Sequence, residues 1–238
     1  MASVMIAADA SVISFIQVWT MPDPTHQQRW LQTMHERIGV MIPQPGFVSM
    51  TLHSSLDGTG TVVYAQWCSQ EELEMAINQP QAKDGHQALA QWGESAGTVY
   101  HTDSVYTPET PHRAQITDEA TVATFINVWK TPTVEHQRQL IEAMNGEMNS
   151  MTQKPGFVSL TIHASLDGQS VVVYAQWRSR EDFDRAIAHD EQALKSRRAL
   201  SQWGEPRANL YRVDAVFLAD APPALPNVDE RDARARVV

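Results

Sequence analysis

Residues 46–67 alternate between apolar and polar positions with the period of a half-buried strand. Val48, Met50 and Leu52 interleave with Ser49, Thr51 and His53. Asp57-Gly58 supplies a turn, because glycine accepts positive φ without steric cost. The run Thr61 to Trp67, rich in β-branched and aromatic residues, is a second strand. A turn over Asp57–Gly60 pairs His53 with Tyr64, Thr51 with Gln66, Leu52 with Ala65 and Met50 with Trp67. One face is then apolar (Val48, Met50, Leu52, Val63, Ala65, Trp67) and is expected to lie under helices. The other is amphipathic (Phe47, Ser49, Thr51, His53, Tyr64, Gln66). A one-residue slip would exchange the two.

The same hairpin returns at Gly156–Trp177, with His163 expected opposite Tyr174 and Leu160 opposite Trp177. The flanking patterns repeat as well. Val12–Trp19 reads as a strand with Phe15, Gln17 and Trp19 on one face and Ile16 and Val18 on the other. A helix is expected from about Thr25 to Met41, with Trp30, Leu31, Met34 and Ile38 at helical spacing. After the hairpin Ser69 caps a helix, with Glu72 as its capping-box partner and Leu73, Ala76 and Ile77 as its apolar stripe. Pro80 interrupts that helix, Gly93 ends its continuation, and Thr98–Tyr106 is a last strand. Val122–Trp129, Val134–Met151, Ser179 with Asp182, Gln202-Trp203-Gly204-Glu205 and Asn209–Leu218 repeat the series, with a one-residue insertion before Gln202.

Between Val12–Gln79 and Val122–His189 roughly 30 of about 68 positions are identical, far more than shared composition produces. The order βαββαβ is a ferredoxin-like unit. Two tandem units can bury their exposed sheet faces against each other. The expected fold is therefore α+β: an intrachain α+β barrel of two antiparallel sheets with helices outside. The expected boundaries are a first repeat over 1–107 with a loose leader at 1–10, a linker over 108–120, a second repeat over 121–218 and a mobile tail over 219–238.

Composition narrows the partners. A formal net charge of −10 argues against nucleic acid or an anionic membrane. Cys68 is the single cysteine and Arg178 replaces it in the second copy, so no intrachain disulfide forms. A cytoplasmic setting is expected, with no signal peptide and no membrane-spanning run. Association of two chains is left open.

The run H-x-S-x-D-G followed by V-x-Y-A-Q-W resembles the antibiotic biosynthesis monooxygenase (ABM) family. It is carried by His53, Ser55, Asp57, Gly58, Tyr64, Ala65, Gln66 and Trp67, and again by His163, Ser165, Asp167, Gly168, Tyr174, Ala175, Gln176 and Trp177. The resemblance implies a dimeric α+β barrel fold. It also implies oxidation of phenolic, anthrone-type polyketide intermediates by O2 without a cofactor, in a site between sheet and helices. Trp67 and Trp177 match the strand-three tryptophan of such sites, and Asn127 a strand-one asparagine, with Gln17 in its place in the first copy. A strand-three asparagine of those enzymes falls at Val63 and Val173, and a helix tyrosine at Leu73 and Phe183, so neither copy carries the full polar set.

Such chemistry asks for a dry pocket and preorganised donors to a phenolate. The indole N–H of Trp67 and Trp177 and the amides of Gln17 and Asn127 are the candidate catalytic groups, although each also suits a packed interior. Phe15, Phe125, Met50, Leu52, Val63, Val173, Leu73 and Phe183 are candidates to bind an aromatic substrate. Trp19 and Trp129 read as structural. His53 and His163 titrate near neutrality and would serve as bases if their strand faced the pocket. The expected register turns them to the inter-sheet side. His26 and His136 read as surface or capping residues. Two other functions compete. One is a ligand-binding or structural protein that has lost catalysis, favoured by Val63 and Val173. The other is a haem-degrading enzyme, which would use Asn127, Trp177 and His189. No metal-binding spacing is present.

Overall fold

The computed structural model describes residues 3–8, 12–109, 112–119, 121–188 and 190–220. The tail expected to be mobile falls outside the described residues from 221 onward. In the first repeat, strand β1 (Ser3–Ile6) precedes β2 (Ile13–Thr20), α1 (Pro24–Arg37), β3 (Phe47–Ser55), β4 (Gly60–Trp67), α2 (Gln70–Ile77), α3 (Pro80–Leu89) and β5 (Glu94–Tyr106). The second has β6 (Ala114–Thr117), β7 (Ala123–Lys130), α4 (Val134–Met151), β8 (Phe157–Ser165), β9 (Ser170–Trp177), α5 (Arg180–Phe183), a π-helix (Asp184–Ala188), α6 (Glu191–Leu200) and β10 (Glu205–Leu218). Eight strands close into one antiparallel barrel in the order β10-β3-β4-β2-β5-β8-β9-β7.

Closure depends on two long strands. β5 pairs with β2 along Glu94–Tyr100 and then with β8 along Tyr100–Tyr106. β10 likewise passes from β7 to β3 at Tyr211. Each final strand thus leaves its own sheet and completes the other, so the sheets of the two copies have no free edge on which to come apart.

The hairpin register differs from the sequence expectation by two residues. His53 lies opposite Val62, Thr51 opposite Tyr64 and Met50 opposite Ala65, with the same pattern at His163 and Val172. The cause is the turn. Ser55 Oγ accepts from the N–H groups of Thr59 (3.1 Å) and Gly60 (2.8 Å) and donates to Asp57 (2.6 Å), which fixes a loop centred one residue earlier. A shift of two leaves both faces as expected. Phe47 and Val48 are the exception. A bulge between Phe47 and Ser49 sets Phe47 opposite Trp67 in the helix-side core, and Val48 is only half-buried.

Polar groups fasten the helices to these turns. Gln27 Nε2 donates to Ser55 O (3.1 Å) and Gly60 O (2.7 Å), and Gln137 repeats this with Ser165 O (3.0 Å) and Ser170 O (2.9 Å). Burial works against charge on Asp57, but hydrogen bonds from Ser55, Thr59 and Asn209 outweigh it and hold its carboxyl near about 2. Asp23 and Thr133 cap α1 and α4. His26 and His136 sit in those first turns, 2.9 Å from Asp23 and 2.7 Å from Thr133, as capping residues should.

The segments read as a loose leader and a linker each carry a strand. β1 and β6 pair antiparallel, Val4 opposite Ile116 and Ile6 opposite Ala114. All four side chains are buried in the barrel cluster with Ile16, Tyr64, Ile126 and Tyr174. Four-residue strands leave too short an alternation to be read from sequence. Gln66 of the Y-A-Q-W run holds β1 by donating to Met5 O at 3.0 Å. This pair plugs one end of the barrel. At the other end a cavity of about 590 Å³ is lined alike by both copies, by Val18 and Tyr100 of the first and Val128 and Tyr211 of the second.

His53 and His163 are buried inside the barrel. His53 does not meet Tyr64 of its own hairpin. Its Nε2 lies 2.9 Å from Tyr174 Oη, and its Nδ1 3.3 Å from Val62 O. A carbonyl can only accept, so Nδ1 carries the proton and Nε2 accepts from the tyrosine. His163 is held by Thr161 and Thr102 (3.0 and 3.3 Å), while Tyr64 bonds Ser14 at 2.9 Å. Burial lowers His53 to about 4 and His163 to about 3, and raises Tyr64 and Tyr174 above the usual phenol range.

Two outcomes follow from this interior. Ile6→Ala should lower unfolding free energy by about 2–5 kcal/mol in urea denaturation, whereas a loose leader would leave it unchanged. The unfolded chain protonates its histidines near 6.5 and the native barrel does so only near 4 and 3. Stability should therefore fall as pH drops below about 6.5, by up to about 1.4 kcal/mol per pH unit for each histidine. Urea midpoints read between pH 7 and 4.5 check this, and His53→Gln should flatten the slope.

Candidate active site

A cavity lies between sheet and helices in each copy. The first, about 460 Å³, opens under α1, α2 and α3, and the second, about 490 Å³, under α4, the π-helix and α6. Both fall within the roughly 300–1,000 Å³ of small-molecule sites. They exist because the apolar sheet faces meet helices whose inner stripes hold methionines, Met34 and Met41 in the first and Met144, Met148 and Met151 in the second. Unbranched methionines leave adaptable space where branched side chains would close it.

The structure brings most of the sequence candidates together here. Phe15, Gln17, Met50, Val63, Trp67 and Leu73 line the first cavity. Phe125, Asn127, Val173, Trp177 and Phe183 line the second. Leu52 does not reach the wall and is fully buried in the adjoining cluster. His53 and His163, on the opposite sheet face, belong to neither cavity, so the expected face holds although the register does not, and the base role has no geometric support. His189 lies outside the described residues.

On the sheet side of these spaces the polar groups are the strand tryptophans and amides. Trp67 is packed edge-on against Phe47 at 5.4 Å, and its Nε1 is buried without a hydrogen-bond partner. Trp177 packs the same way on Phe157 at 5.6 Å and also meets Phe183, which lies 5.0 Å from Phe125. Asn127 is 6% exposed, and its Oδ1 is a buried acceptor without a partner. Such an atom costs free energy unless something else satisfies it. Gln17 differs, because its Nε2 donates to Ser95 at 3.1 Å. Gly97 stands opposite Gln17, where a Cβ would come within 2.8 Å of the glutamine, and Ala208 stands opposite the shorter Asn127. Val63 and Val173 lie beside these amides in register.

Sequence reasoning missed the contribution of the helices. Arg37, Lys83 and His86 line the first cavity, and Glu147 and Arg197 the second. Trp129, read as structural, also walls the second cavity, with Nε1 buried and unpartnered, while Trp19 packs on Trp30 at 5.4 Å and on His86 at 5.3 Å. The orientation of α3 and α6 depends on the breaks at Pro80 and after Ala188, which periodicity does not resolve. The extra residue of the second copy is taken up where α2 is replaced by a short α5 and the π-helix, whose wider turn accommodates one more residue, and Ile187 lines its cavity as Ile77 does the first.

Comparison with known proteins places this architecture. Antibiotic biosynthesis monooxygenase domains match residues 13–88 and 123–193. Tetracenomycin-F1 monooxygenase of Streptomyces glaucescens is 41% identical over 78 residues, 32% of this chain and 68% of that protein. Among solved structures, an anthrone oxidase-like protein superposes with a TM-score of 0.81 at 22% identity, over 92% of this chain and 98% of its own. A monooxygenase-like protein of Lactobacillus acidophilus gives 0.55 at 10% identity, over 87% and 96%. The last two likenesses concern the fold. With both of its repeats matched, the chain belongs to the antibiotic biosynthesis monooxygenase family.

Proposed function

We propose that this protein is a cofactor-independent monooxygenase that oxidises a phenolic, anthrone-type aromatic polyketide with O2 in its sheet–helix cavities. The observation that carries the reading is a pair of largely apolar cavities, each holding a buried polar group with no protein partner: Trp67 Nε1 in the first and Asn127 Oδ1 in the second. Tetracenomycin-F1 monooxygenase, similar over one repeat, supports the reaction class.

The reaction converts a ring methylene and O2 into a ring carbonyl and water. It starts when the phenol tautomer of the substrate gives up its proton to solvent water at the cavity mouth and the electron-rich phenolate passes an electron to O2; the two radicals join at the ring carbon as a peroxide, which takes a proton back and loses water to leave the carbonyl. Asn127 Oδ1 accepts from the phenolic O–H, and an indole N–H donates to the oxygen as negative charge builds on it. Aromatic walls such as Phe125 and Phe183 hold the rings and keep water out. In that setting a fixed donor stabilises the anion more than it would in water.

A ligand-binding protein without catalysis is the second reading, favoured by valine at positions 63 and 173 beside the amides. Oxygen uptake with a simple anthrone, in chelator and without flavin or nicotinamide, separates the two. Uptake above background is expected, falling about 100-fold in Trp67→Phe/Trp177→Phe, with the fold checked by circular dichroism. Uptake unchanged in that variant would keep the chemistry and reject the site. Absence of uptake together with tight binding of the anthrone would favour the second reading. Asn127→Leu should slow the remaining uptake of Trp67→Phe alone, because it empties the second cavity of its acceptor.

A further inference from the structure

The two cavities are equivalent by descent but not by charge. Position by position, Arg37 of the first corresponds to Glu147 of the second, Lys83 to Leu194 and His86 to Arg197. All six side chains line their respective cavities. Among the described residues no Asp or Glu lines the first cavity, and neither Arg37 nor Lys83 has a carboxylate within ion-pair distance. The second cavity carries one acid and one base. Its buried unpartnered groups include an acceptor, Asn127 Oδ1, whereas in the first cavity the corresponding Gln17 is engaged by Ser95 and the indole N–H of Trp67 is a donor.

We propose that the two cavities have divided their ligands by charge, the first taking an aromatic that carries a carboxylate and the second a neutral hydroxylated aromatic. On a chain of net charge −10, an anion meets repulsion over most of the surface. A cluster of unpaired cations at one cavity mouth reverses that locally and concentrates anionic ligand there. The guanidinium of Arg37 can grip a carboxylate through two parallel hydrogen bonds, which Glu147 would repel. The second cavity instead offers an acceptor to a phenol O–H and no excess charge to an anion. This assignment rests on the sheet–helix cavities being the substrate site of the proposed oxygenation.

The test uses the full chain with two probes that do not react with O2, anthraquinone-2-carboxylate and the neutral 2-(hydroxymethyl)anthraquinone. Binding is followed by tryptophan quenching and calorimetry at low and high salt. The carboxylate probe should occupy one site per chain and weaken as salt rises, with the neutral probe insensitive to salt. Arg37→Glu/Lys83→Leu should weaken the carboxylate probe at least tenfold and the neutral probe less than twofold. Glu147→Arg/Leu194→Lys should add a second carboxylate site. Carboxylate binding indifferent to salt, two equivalent carboxylate sites in the unmodified chain, or indifference to the first pair of substitutions would overturn the proposal. Because the probes are already quinones, a protein that discriminates between them yet consumes no oxygen refutes the oxygenase reading and leaves the charge assignment standing.

Discussion

The structure depends on burying the inner faces of two sheets that could not be left in water. Each hairpin offers a row of threonine, histidine and tyrosine, too polar for a conventional core and too apolar for a surface. Facing each other, the two rows meet across the barrel, while Tyr64 bonds Ser14 of its own copy. His53 accepts from Tyr174 of the other copy across 2.9 Å, the rings of Tyr64 and Tyr174 lie 5.9 Å apart, and Tyr64 meets His163 edge-on at 5.5 Å. These contacts join residues of one copy to residues of the other, so neither copy can complete its interior alone. The long strands β5 and β10 make the same exchange at the level of the backbone.

Once the polar rows are turned inward, the opposite faces must take the apolar load, and helices cover them. That arrangement explains why the two kinds of polar residue in the hairpin have separate fates. Histidine and tyrosine are consumed by the barrel and held neutral there. Tryptophan, one step out of phase, is left under the helices, where the Trp67 nitrogen has no partner among the described residues. The strand period of two therefore sorts the hairpin into a structural half and a half available for chemistry.

Much of this was legible from the chain. The duplicated hairpin gave the two faces, and an error of two residues in register did no harm because the faces repeat with that period. Gln17, Asn127, Trp67 and Trp177 were found because a polar or donor-bearing residue on an apolar strand face is conspicuous. The bulge at Val48 was not legible, since it answers to the packing of Phe47 against Trp67 rather than to any local pattern. Nor were the cavity rims. Arg37 and Lys83 look like ordinary surface residues until α1 and α3 are placed over the sheet, and only comparison with Glu147 and Leu194 gives their charge meaning.

The plug at the barrel end bears on how such a chain could arise. β1 precedes the first copy as β6 precedes the second, and the partners Val4–Ile116 and Ile6–Ala114 are what a two-fold axis through the pair requires. The repeat is therefore longer than its conspicuous hairpin suggests: each unit begins with an arm that clasps its counterpart. A pair of separate single-repeat chains would already have made this clasp. A short connection from Tyr106 to Ala114 would then suffice to join them. Covalent union added little to the architecture. It removed the obligation of symmetry, so a substitution such as arginine for glutamate could be tried on one side without appearing on the other.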